Sequence, residues 1–521
     1  METGINRRKL MLASFLTLIA SGIGFATRGA MGEVWGSEFN LGGQEFGNIM
    51  GAGFLGFGIV IFFGGIVTEK LGFKTVLVLA FFLHLISAAM LFAARPVYEH
   101  FQTTAPADAS LRVYQVLFWS CFVFSIAQGL YEAVINPLIA RLYPENPTHY
   151  LNILHAGWPG GMIIGGLIAA VTIGKNSSIA WEIPLACFAI AVVMYGVLAL
   201  PEKFPQTVAA KTSNFGELFS CFLSPVFILL LVLHACIGYT ELGIDSWVTT
   251  LMRNVLTNPV LLLVYTSSLM FVLRFFAGPI VHKINPIGLL FLSSILAAVG
   301  LFWLGSEAKT LPMILVAATV YTLGKAFFWP TMLGVAGERY PRSGAVAMGA
   351  LGAVGMLTVG LISGQAIGYK ADSNASAHLS QNAPETFQRY SESGTNKFLW
   401  FPEYHRLTPN LASAANATTI DEATKLPKTD KFEELRSELN RQIGKSSDAR
   451  SKEELAAQIS KIDEVLPTIS ADAKPIQNAK NFGDHRALTL TAYVPAAMAI
   501  GFLLLLIYFV LIGGYKKIEL S

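Results

Sequence analysis

Apolar residues in this chain gather into runs of about twenty, and short polar segments separate most of these runs. A helix of about twenty apolar residues can cross the hydrocarbon core of a bilayer, so each run predicts a membrane-spanning helix. The twelve predicted spans cover roughly 10–35, 46–68, 73–94, 112–142, 151–174, 181–200, 223–251, 257–283, 286–305, 311–336, 344–370 and 486–514. The pattern therefore predicts an all-α membrane protein with twelve transmembrane helices.

Two polar segments are longer than ordinary connections between helices. They predict an N-terminal six-helix half (1–200), a cytoplasmic linker (201–222), a C-terminal six-helix half (223–370 with 486–521) and an extracytoplasmic insertion (371–485). The insertion is predicted to have an organisation of its own.

Apolar residues recur at helical spacing in two stretches of the insertion, which predicts a helical hairpin. These residues are Phe432, Leu435, Leu439 and Ile443 in the first stretch, and Leu455, Ile459, Ile462 and Leu466 in the second. The flanking segments SNASAHLSQN (373–382) and ASAANATT (412–419) have the composition of flexible linkers. The aromatic segment KFLWFPEYH (397–405) either caps the cavity mouth or packs on the hairpin or the membrane surface.

An even number of spans places both termini on one side of the membrane. The loops on that side contain about thirteen lysines and arginines, against about five on the other side. Because cytoplasmic loops are enriched in these residues, the termini are predicted to be cytoplasmic in a cell inner membrane. The counted cations include Lys211 on the terminal side and Lys175, Arg253 and Lys309 on the other.

The composition excludes several other classes of protein. Of the 521 residues, 53% are hydrophobic and only 14% are charged, whereas about 25% are charged in soluble proteins. The net charge of +3 is too small to suggest a nucleic-acid partner. All four cysteines lie inside predicted spans, so no disulfide or metal site is expected. Without a phosphate-binding loop, nucleophile elbow or metal-ligand cluster, the sequence predicts neither an enzyme nor a cofactor.

Three segments of the first half recur, in the same order, in the second half. GFATRG (24–29) resembles GYTELG (238–243), FFGGIVTEK (62–70) resembles FFAGPIVHK (275–283), and LYEAVINP (130–137) resembles LGKAFFWP (323–330). Such a parallel repeat places a binding site near the midplane, between the halves. Because Glu132 aligns with Lys325, we expect these two residues to form an ion pair that breaks when solute or proton arrives.

The loop after span two reads Gly65-IVT-Glu69-KL-Gly72-Phe73-Lys74. It resembles the major facilitator superfamily signature Gly-x-x-x-Asp-x-x-Gly-Arg/Lys-Arg/Lys, with Glu for Asp and Phe73 for a basic residue. Glycines let spans two and eleven approach closely, and Glu69 can bond helix N-termini when the cytoplasmic side closes. The resemblance implies that the gating residues are Gly65, Glu69, Lys70, Gly72 and Lys74.

Within this superfamily the chain is most similar to the bacterial fucose–proton and glucose/galactose symporter group. The similarity rests on Glu132, Asn136-Pro137, LNILHA (151–156) and GYTELGIDSW (238–247). It implies a sugar symporter in which Glu132 recognises substrate and couples protons. The chain departs from the fucose member late in span one, where Gly29, beside Arg28, replaces an aspartate.

The candidate site follows from polar residues at membrane depth. Gln128, Glu132 and Asn136 recur every four residues, so they share one face of span four. An ionisable residue inside the bilayer is costly and usually faces the bundle interior or a wet cavity. The predicted substrate-binding residues are Gln128, Glu132, Asn136, Asn152, Lys325, Trp329, Glu241 and Arg28. The residues predicted to couple protons are Glu132 and His155.

Simpler roles remain open for several of these residues. Glu132 could link two helices, and His155 could be a hydrogen-bonded core histidine. Arg274, directly before the segment FFAGPIVHK (275–283), is predicted to have a structural role. Asp245 lies near the outer end of its predicted helix, where it could meet water.

The expected function is transport of a small polar solute, most simply a sugar, by alternating access with protons. We expect a monomer in the lipid bilayer. A second interpretation keeps the transporter but makes the cargo an organic anion, such as a sugar acid, held by Arg28 and Lys325. A third is a membrane receptor whose outer hairpin binds a partner.

Overall fold

The chain forms twelve spans in two six-helix halves, as the apolar pattern predicts. The computed structural model describes residues 4–39, 41, 43–105, 108–172, 179–207, 215–252, 255–256, 260–306, 308, 310–419, 421, 427–445 and 449–518. In these ranges eleven helices are long and apolar enough to cross a membrane, and the shorter apolar helix Val260–Arg274 supplies one more span. Lys175, Lys211, Arg253 and Lys309, used in the charge count, lie outside the described residues.

The first half contains spans one to six. Their helices are Arg7–Gly29 (one), Gly43–Leu71 (two), Phe73–Thr104 (three), Ala109–Leu142 (four), Pro147–His155 with Gly157–Thr172 (five), and Glu182–Ala186 with Phe188–Ala199 (six). A short helix, Gly32–Phe39, lies between spans one and two.

The second half contains spans seven to twelve and follows a 3-10 helix, Phe215–Leu223. Span seven consists of Pro225–Gly238, Tyr239–Gly243 and Ile244–Leu251. Span eight consists of Val260–Arg274 and the start of Ala277–Ser306. Span nine is the rest of that last helix, beyond a kink at Asn285. Span ten is Leu311–Lys325 with Phe328–Arg339; span eleven is Gly344–Thr358, Val359–Ser363 and Gly364–Asn382; span twelve is Ile469–Thr491 with Tyr493–Leu511. The segments Tyr239–Gly243 and Val359–Ser363 are π-helical, and Pro341–Ser343 is a 3-10 turn.

The two halves pack along spans two and eleven, spans five and ten, and spans five and eight. Large apolar side chains on the outside of the bundle are exposed, among them Val171, Val197 and Val510. Exposed apolar surface of this extent is what a lipid-facing bundle requires. Below, the end of the bundle that carries both termini is called the terminus side, and the opposite end the insertion side.

Spans eleven and twelve continue well beyond their predicted ends and form the base of the insertion. The helix Gly364–Asn382 includes residues 373–382, so the predicted flexible linker there is wrong. The same helix packs against Ile469–Thr491, which begins before the predicted start of span twelve. Residues 412–419, the second predicted linker, largely belong to the helix Pro409–Asn416.

The rest of the insertion folds around a small apolar core. The predicted helical hairpin is confirmed as Asp430–Lys445 and Ala449–Val465, with Phe432, Leu439 and Ile462 buried between the helices. A 3-10 turn, Leu466–Thr468, leads into span twelve.

The insertion also contains elements that were not predicted. The helix Pro384–Tyr390 precedes an antiparallel pair of strands, Ser391–Asn396 and Tyr404–Leu407. Asp472 is fully buried and accepts hydrogen bonds from Arg389 Nε (3.0 Å), Thr386 Oγ1 (2.7 Å) and Thr468 Oγ1 (2.6 Å). These hydrogen bonds compensate the charge of the buried carboxylate. They also connect the insertion to the start of span twelve.

The aromatic segment at residues 397–405 forms the tip of the strand pair. The Phe401 ring lies 5.0 Å from the Tyr369 ring, and the Tyr369 hydroxyl donates to the Pro402 carbonyl at 2.5 Å. Because Tyr369 belongs to span eleven, the tip rests on the extended span, and 80% of Trp400 remains exposed.

Candidate functional site

Two prolines interrupt the hydrogen bonding of helices near the centre of the bundle, one in span five and one in span ten. Proline has no N–H, so it cannot bond the carbonyl four residues earlier, and its ring crowds that carbonyl. Pro159 in span five leaves the His155 carbonyl free, and Pro330 in span ten leaves the Ala326 carbonyl free. Each span is interrupted there: span five between His155 and Gly157, span ten between Lys325 and Phe328.

Arg274 in span eight binds both freed carbonyls. Its Nη1 donates to the His155 carbonyl at 2.5 Å and its Nε donates to the Ala326 carbonyl at 2.8 Å. Its Nη2 donates at 2.8 Å to Glu241, in the π-helical turn of span seven. The negative ends of two interrupted helices and one carboxylate therefore surround a fully buried cation.

Arg274 thus joins span five of the first half to spans seven, eight and ten of the second. The sequence predicts a structural role for Arg274 but not its partners. The signal lay in Pro159 and Pro330, each four residues after a carbonyl that the guanidinium binds.

A second polar group lies on span four and reaches span five. The Asn136 amide donates to Glu132 Oε2 at 3.3 Å, and the Asn136 Oδ1 lies 2.9 Å from His155 Nε2. All three side chains are buried. Glu132, Asn136 and His155, two of them predicted to couple protons, therefore form one connected line of side chains.

The predicted ion pair between Glu132 and Lys325 is wrong. The Lys325 ammonium binds the Asp245 carboxylate of span seven and lies 5.0 Å from the centre of the Tyr321 ring. Asp245 is buried rather than exposed to water at the end of its helix. Lys325 also does not line either central cavity described below.

Two small cavities lie near the centre of the bundle, the first lined mainly by the first half and the second by both halves. One, of about 50 Å³, is lined by Arg28, Gln128 and Trp158 among others. The other, of about 30 Å³, is lined by Glu132, His155, Glu241, Arg274 and Trp329 among others. Both are far smaller than the ~300 Å³ of a usual ligand pocket, so binding a solute requires the surrounding side chains to move.

The two cavities are neighbours that share a wall of apolar side chains. Phe54, Phe57, Trp158 and Met356 line both. The Trp158 ring lies 5.5 Å from Phe25, which lines the first cavity. Displacement of this wall would join the predicted site residues Arg28, Gln128 and Glu132 in one space.

Several buried polar atoms of this region have no hydrogen-bond partner among the described residues. They are Arg28 Nε and Nη2, Glu241 Oε2, Asn152 Oδ1, and both ring nitrogens of His234, which packs 4.5 Å from Trp329. Because buried polar atoms are nearly always hydrogen-bonded, these atoms can bond to a solute or to water.

Asn152 does not line either central cavity, unlike most of the predicted substrate-binding residues. Its amide donates to the Thr148 carbonyl at 2.9 Å and to Thr331 Oγ1 at 3.1 Å. Because Thr331 belongs to span ten, Asn152 links the two halves on the terminus side.

The predicted gating residues lie where spans two and eleven meet on the terminus side. Glu69 Oε1 accepts a hydrogen bond from the backbone N–H of Ala345 at 3.0 Å, at the first turn of span eleven. A Cβ at Gly65 would lie 2.7 Å from the Ala345 carbonyl oxygen. Gly72 has a positive φ of 85°, a conformation that favours glycine.

The two lysines of the predicted gate differ in their surroundings. Lys70 is exposed, and Lys74 donates to the Glu202 carbonyl at 3.2 Å, within the first half. Glu338 makes a further contact between the halves by accepting from Thr148 at 2.8 Å, and within its own half it accepts from the Tyr515 hydroxyl at 2.8 Å. A cavity of about 460 Å³ lies beside these contacts.

This architecture, with a buried polar site between two six-helix halves, is that of a transporter for small solutes. The family model of the Major Facilitator Superfamily matches residues 10–363, and the chain belongs to this superfamily. It is a multi-pass membrane transporter and not an enzyme.

Solved structures of the same superfamily share the fold. The proton:xylose symporter XylE, bound to 6-bromo-6-deoxy-D-glucose, has a TM-score of 0.57 at 16% identity, over 68% of this chain and 87% of that chain. FucP in its outward conformation has a TM-score of 0.55 at 17% identity, over 70% and 91%. The human organic anion transporter MFSD10 has a TM-score of 0.53 at 14% identity, over 69% and 93%. The comparison with curated protein sequences gives no significant match.

Proposed function

We propose that this protein is a secondary transporter that moves a small polar solute of the sugar class by alternating access, coupled to protons. The observation that carries the proposal is the buried line Glu132–Asn136–His155, which ends in a cavity between the two halves. A carboxylate there can hold or release a proton, and its occupancy changes the charge next to a bound solute.

Charged groups around Glu132 support a role in coupling rather than in packing. His155 of span five, Glu241 of span seven and Arg274 of span eight line the same cavity. Arg274 is already bound to Glu241, and within the described part of the chain the Asn136 amide is the one hydrogen-bond partner of the Glu132 carboxylate. A buried carboxylate without a bound cation is the member of this group for which protonation costs least.

Aromatic side chains and amides supply the rest of a sugar site. Trp158 and Trp329 line the cavities beside Gln128 and Glu132. Sugars present one apolar ring face and several hydroxyls, so they fit a site that combines an aromatic surface with amide and carboxylate groups. The solute would enter after the shared apolar wall of Phe54, Phe57, Trp158 and Met356 moves.

The orientation and the domain division belong to this proposal. We place the terminus side in the cytoplasm of a cell with the protein in its inner membrane, because lysine and arginine are more frequent on that side. In this orientation residues 371–485 lie outside, and residues 201–222 connect the halves inside.

Flux into proteoliposomes tests the proposal. Purified full-length protein should take up at least one neutral or acidic sugar from a panel, faster when an inward proton gradient is imposed. A protonophore should remove the acceleration. Binding of a sugar without flux in any condition would instead favour the receptor interpretation.

The contact of Gly65 with span eleven gives a test of the gate. The substitution Gly65→Ala places a methyl group 2.7 Å from the Ala345 oxygen and should force spans two and eleven apart. Overpacking of this kind costs about 1–3 kcal/mol, enough to shift a two-state equilibrium roughly 5- to 160-fold. We expect faster maleimide labelling of an Ala140→Cys reporter, since Ala140 lines the terminus-side cavity.

Gly51→Ala is the matched control, because a Cβ at Gly51 on the same span meets no atom within 4 Å. Labelling is compared with the chain that lacks the reporter. Equal labelling rates in the Gly65 and Gly51 variants would show that this close approach does not hold the terminus side closed.

A further inference from the structure

Arg28 in span one is a buried cation with no carboxylate partner among the residues that the structure describes. Only 3% of it is exposed, and Nη1 donates to the Gly24 carbonyl, one turn earlier, at 3.2 Å. The guanidinium carbon lies 3.8 Å from the centre of the Phe124 ring and 5.0 Å from that of Phe188. In the described part of the chain, no atom accepts a hydrogen bond from Nε or Nη2.

The other two cations of the central region are neutralised by the protein. Arg274 binds Glu241, and Lys325 binds Asp245. A charge at membrane depth normally pairs with an opposite charge or faces water, because desolvation is costly. Arg28 therefore differs from Arg274 and Lys325: its ring contacts hold the guanidinium in place but leave two donors for an anion.

The two free donors belong to a side chain that lines the first central cavity. Gln128 and Trp158 line it beside Arg28, and only the shared apolar wall separates it from the cavity of Glu132. When that wall moves, one space contains a cation at one end, an aromatic surface and amide in the middle, and a carboxylate at the other end.

We infer that the transported solute is a polyhydroxylated monocarboxylate, a sugar acid whose carboxylate binds Arg28 while its hydroxyls bind Gln128 and the Glu132 region. This inference rests on the proposed transport function and names its substrate class. A planar guanidinium with two free N–H donors matches a carboxylate, which accepts two parallel hydrogen bonds. One unneutralised cation suits one negative charge, and Lys325 is excluded as a second anchor because Asp245 occupies it.

Matched ligand pairs test the inference on the unaltered protein. Thermal unfolding of the purified full-length chain is measured with glucose, glucuronate, gluconate and glucuronamide. Glucuronamide has nearly the shape of glucuronate but no charge, so it isolates the carboxylate. We expect stabilisation by glucuronate or gluconate and at least tenfold weaker binding of glucose and glucuronamide, the usual effect of losing a charge-assisted hydrogen-bond pair.

Variants then assign the effect to Arg28. Arg28→Met should weaken acid binding by roughly 10- to 100-fold, and Arg28→Lys should retain part of it, because a lysine keeps the charge but not the planar pair of donors. Arg112→Met, which removes an exposed arginine of span four, is the control and should leave binding unchanged. If Arg28→Met does not fold, the comparison of glucuronate with glucuronamide on the unaltered chain still shows whether the protein recognises the carboxylate.

The possible results separate this inference from the function on which it rests. If neutral sugars bind and cross the membrane while the acids do not, the carboxylate inference fails and the transporter proposal stands. If acids stabilise the Arg28→Met variant as strongly as the unaltered chain, Arg28 is not the anchor and the inference also fails. If neither class binds nor crosses, the proposed sugar transport fails together with it.

Discussion

Proton-driven accumulation of solute should be lost in Glu132→Gln, while exchange of solute across the membrane without a gradient should persist. Glutamine keeps the size of the side chain and can still bond Asn136, but it cannot take up and release a proton. We expect uptake driven by a proton gradient to fall to the level seen without the gradient. Counterflow in proteoliposomes loaded with unlabelled solute measures the exchange that should remain.

Two other carboxylates make this experiment specific. Glu99→Gln removes an exposed carboxylate at the insertion-side end of span three and should leave accumulation unchanged. Glu241→Gln removes a cavity carboxylate that Arg274 holds, so its main effect should be on stability rather than on coupling. Accumulation by Glu132→Gln at the rate of the unaltered chain would exclude Glu132 as the coupling residue.

The apolar periodicity and the internal repeats predict the membrane spans and the helical hairpin. The apolar runs predicted the spans because a bilayer requires a fixed helix length, and the apolar spacing of Phe432, Leu439 and Ile462 predicted the hairpin of the insertion. The repeat placed Glu132 and Lys325 at equivalent positions of the two halves. Residues at equivalent positions of two repeats have similar surroundings, but they need not contact each other. The predicted ion pair between Glu132 and Lys325 is wrong for this reason.

The partner of Lys325 depends on a local irregularity that periodicity cannot show. The π-helical turn Tyr239–Gly243 inserts an extra residue in span seven, and one residue rotates everything beyond it by about 100° around the helix. Asp245 is the second residue after this turn and binds Lys325. The sequence shows only that Asp245 lies near the outer end of its predicted helix, and that position alone does not indicate the contact with Lys325.

The linker prediction at residues 373–382 is wrong because small residues occur both in flexible linkers and in closely packed helices. Residues 373–382 are rich in serine and alanine, a composition shared by flexible linkers and by closely packed helices. A Cβ at Gly483 would lie 2.2 Å from the Ala371 carbonyl and 2.9 Å from the Ala375 Cβ. The extended spans eleven and twelve therefore need small residues to touch, and packing explains the composition better than flexibility does.

Arg274→Met should be the most destabilising single substitution in the centre of the bundle. It leaves Glu241 buried without its cation and leaves the His155 and Ala326 carbonyls without the donor that the prolines made necessary. Removing one partner of a buried ion pair costs about 3–5 kcal/mol, so the midpoint of thermal unfolding in detergent should fall strongly. Arg112→Met, at an exposed position, should not change it.

Two further variants identify the cause of this loss. Arg274→Lys keeps the charge, yet one ammonium cannot reach acceptors that the guanidinium meets in three directions, so we expect stability well below that of the unaltered chain. Adding Glu241→Gln to Arg274→Met removes the buried uncompensated charge and should restore part of the midpoint, but not the part due to the two carbonyls. Full stability of Arg274→Lys would mean that charge alone holds spans five, seven and ten together, and that the geometry set by Pro159 and Pro330 contributes little.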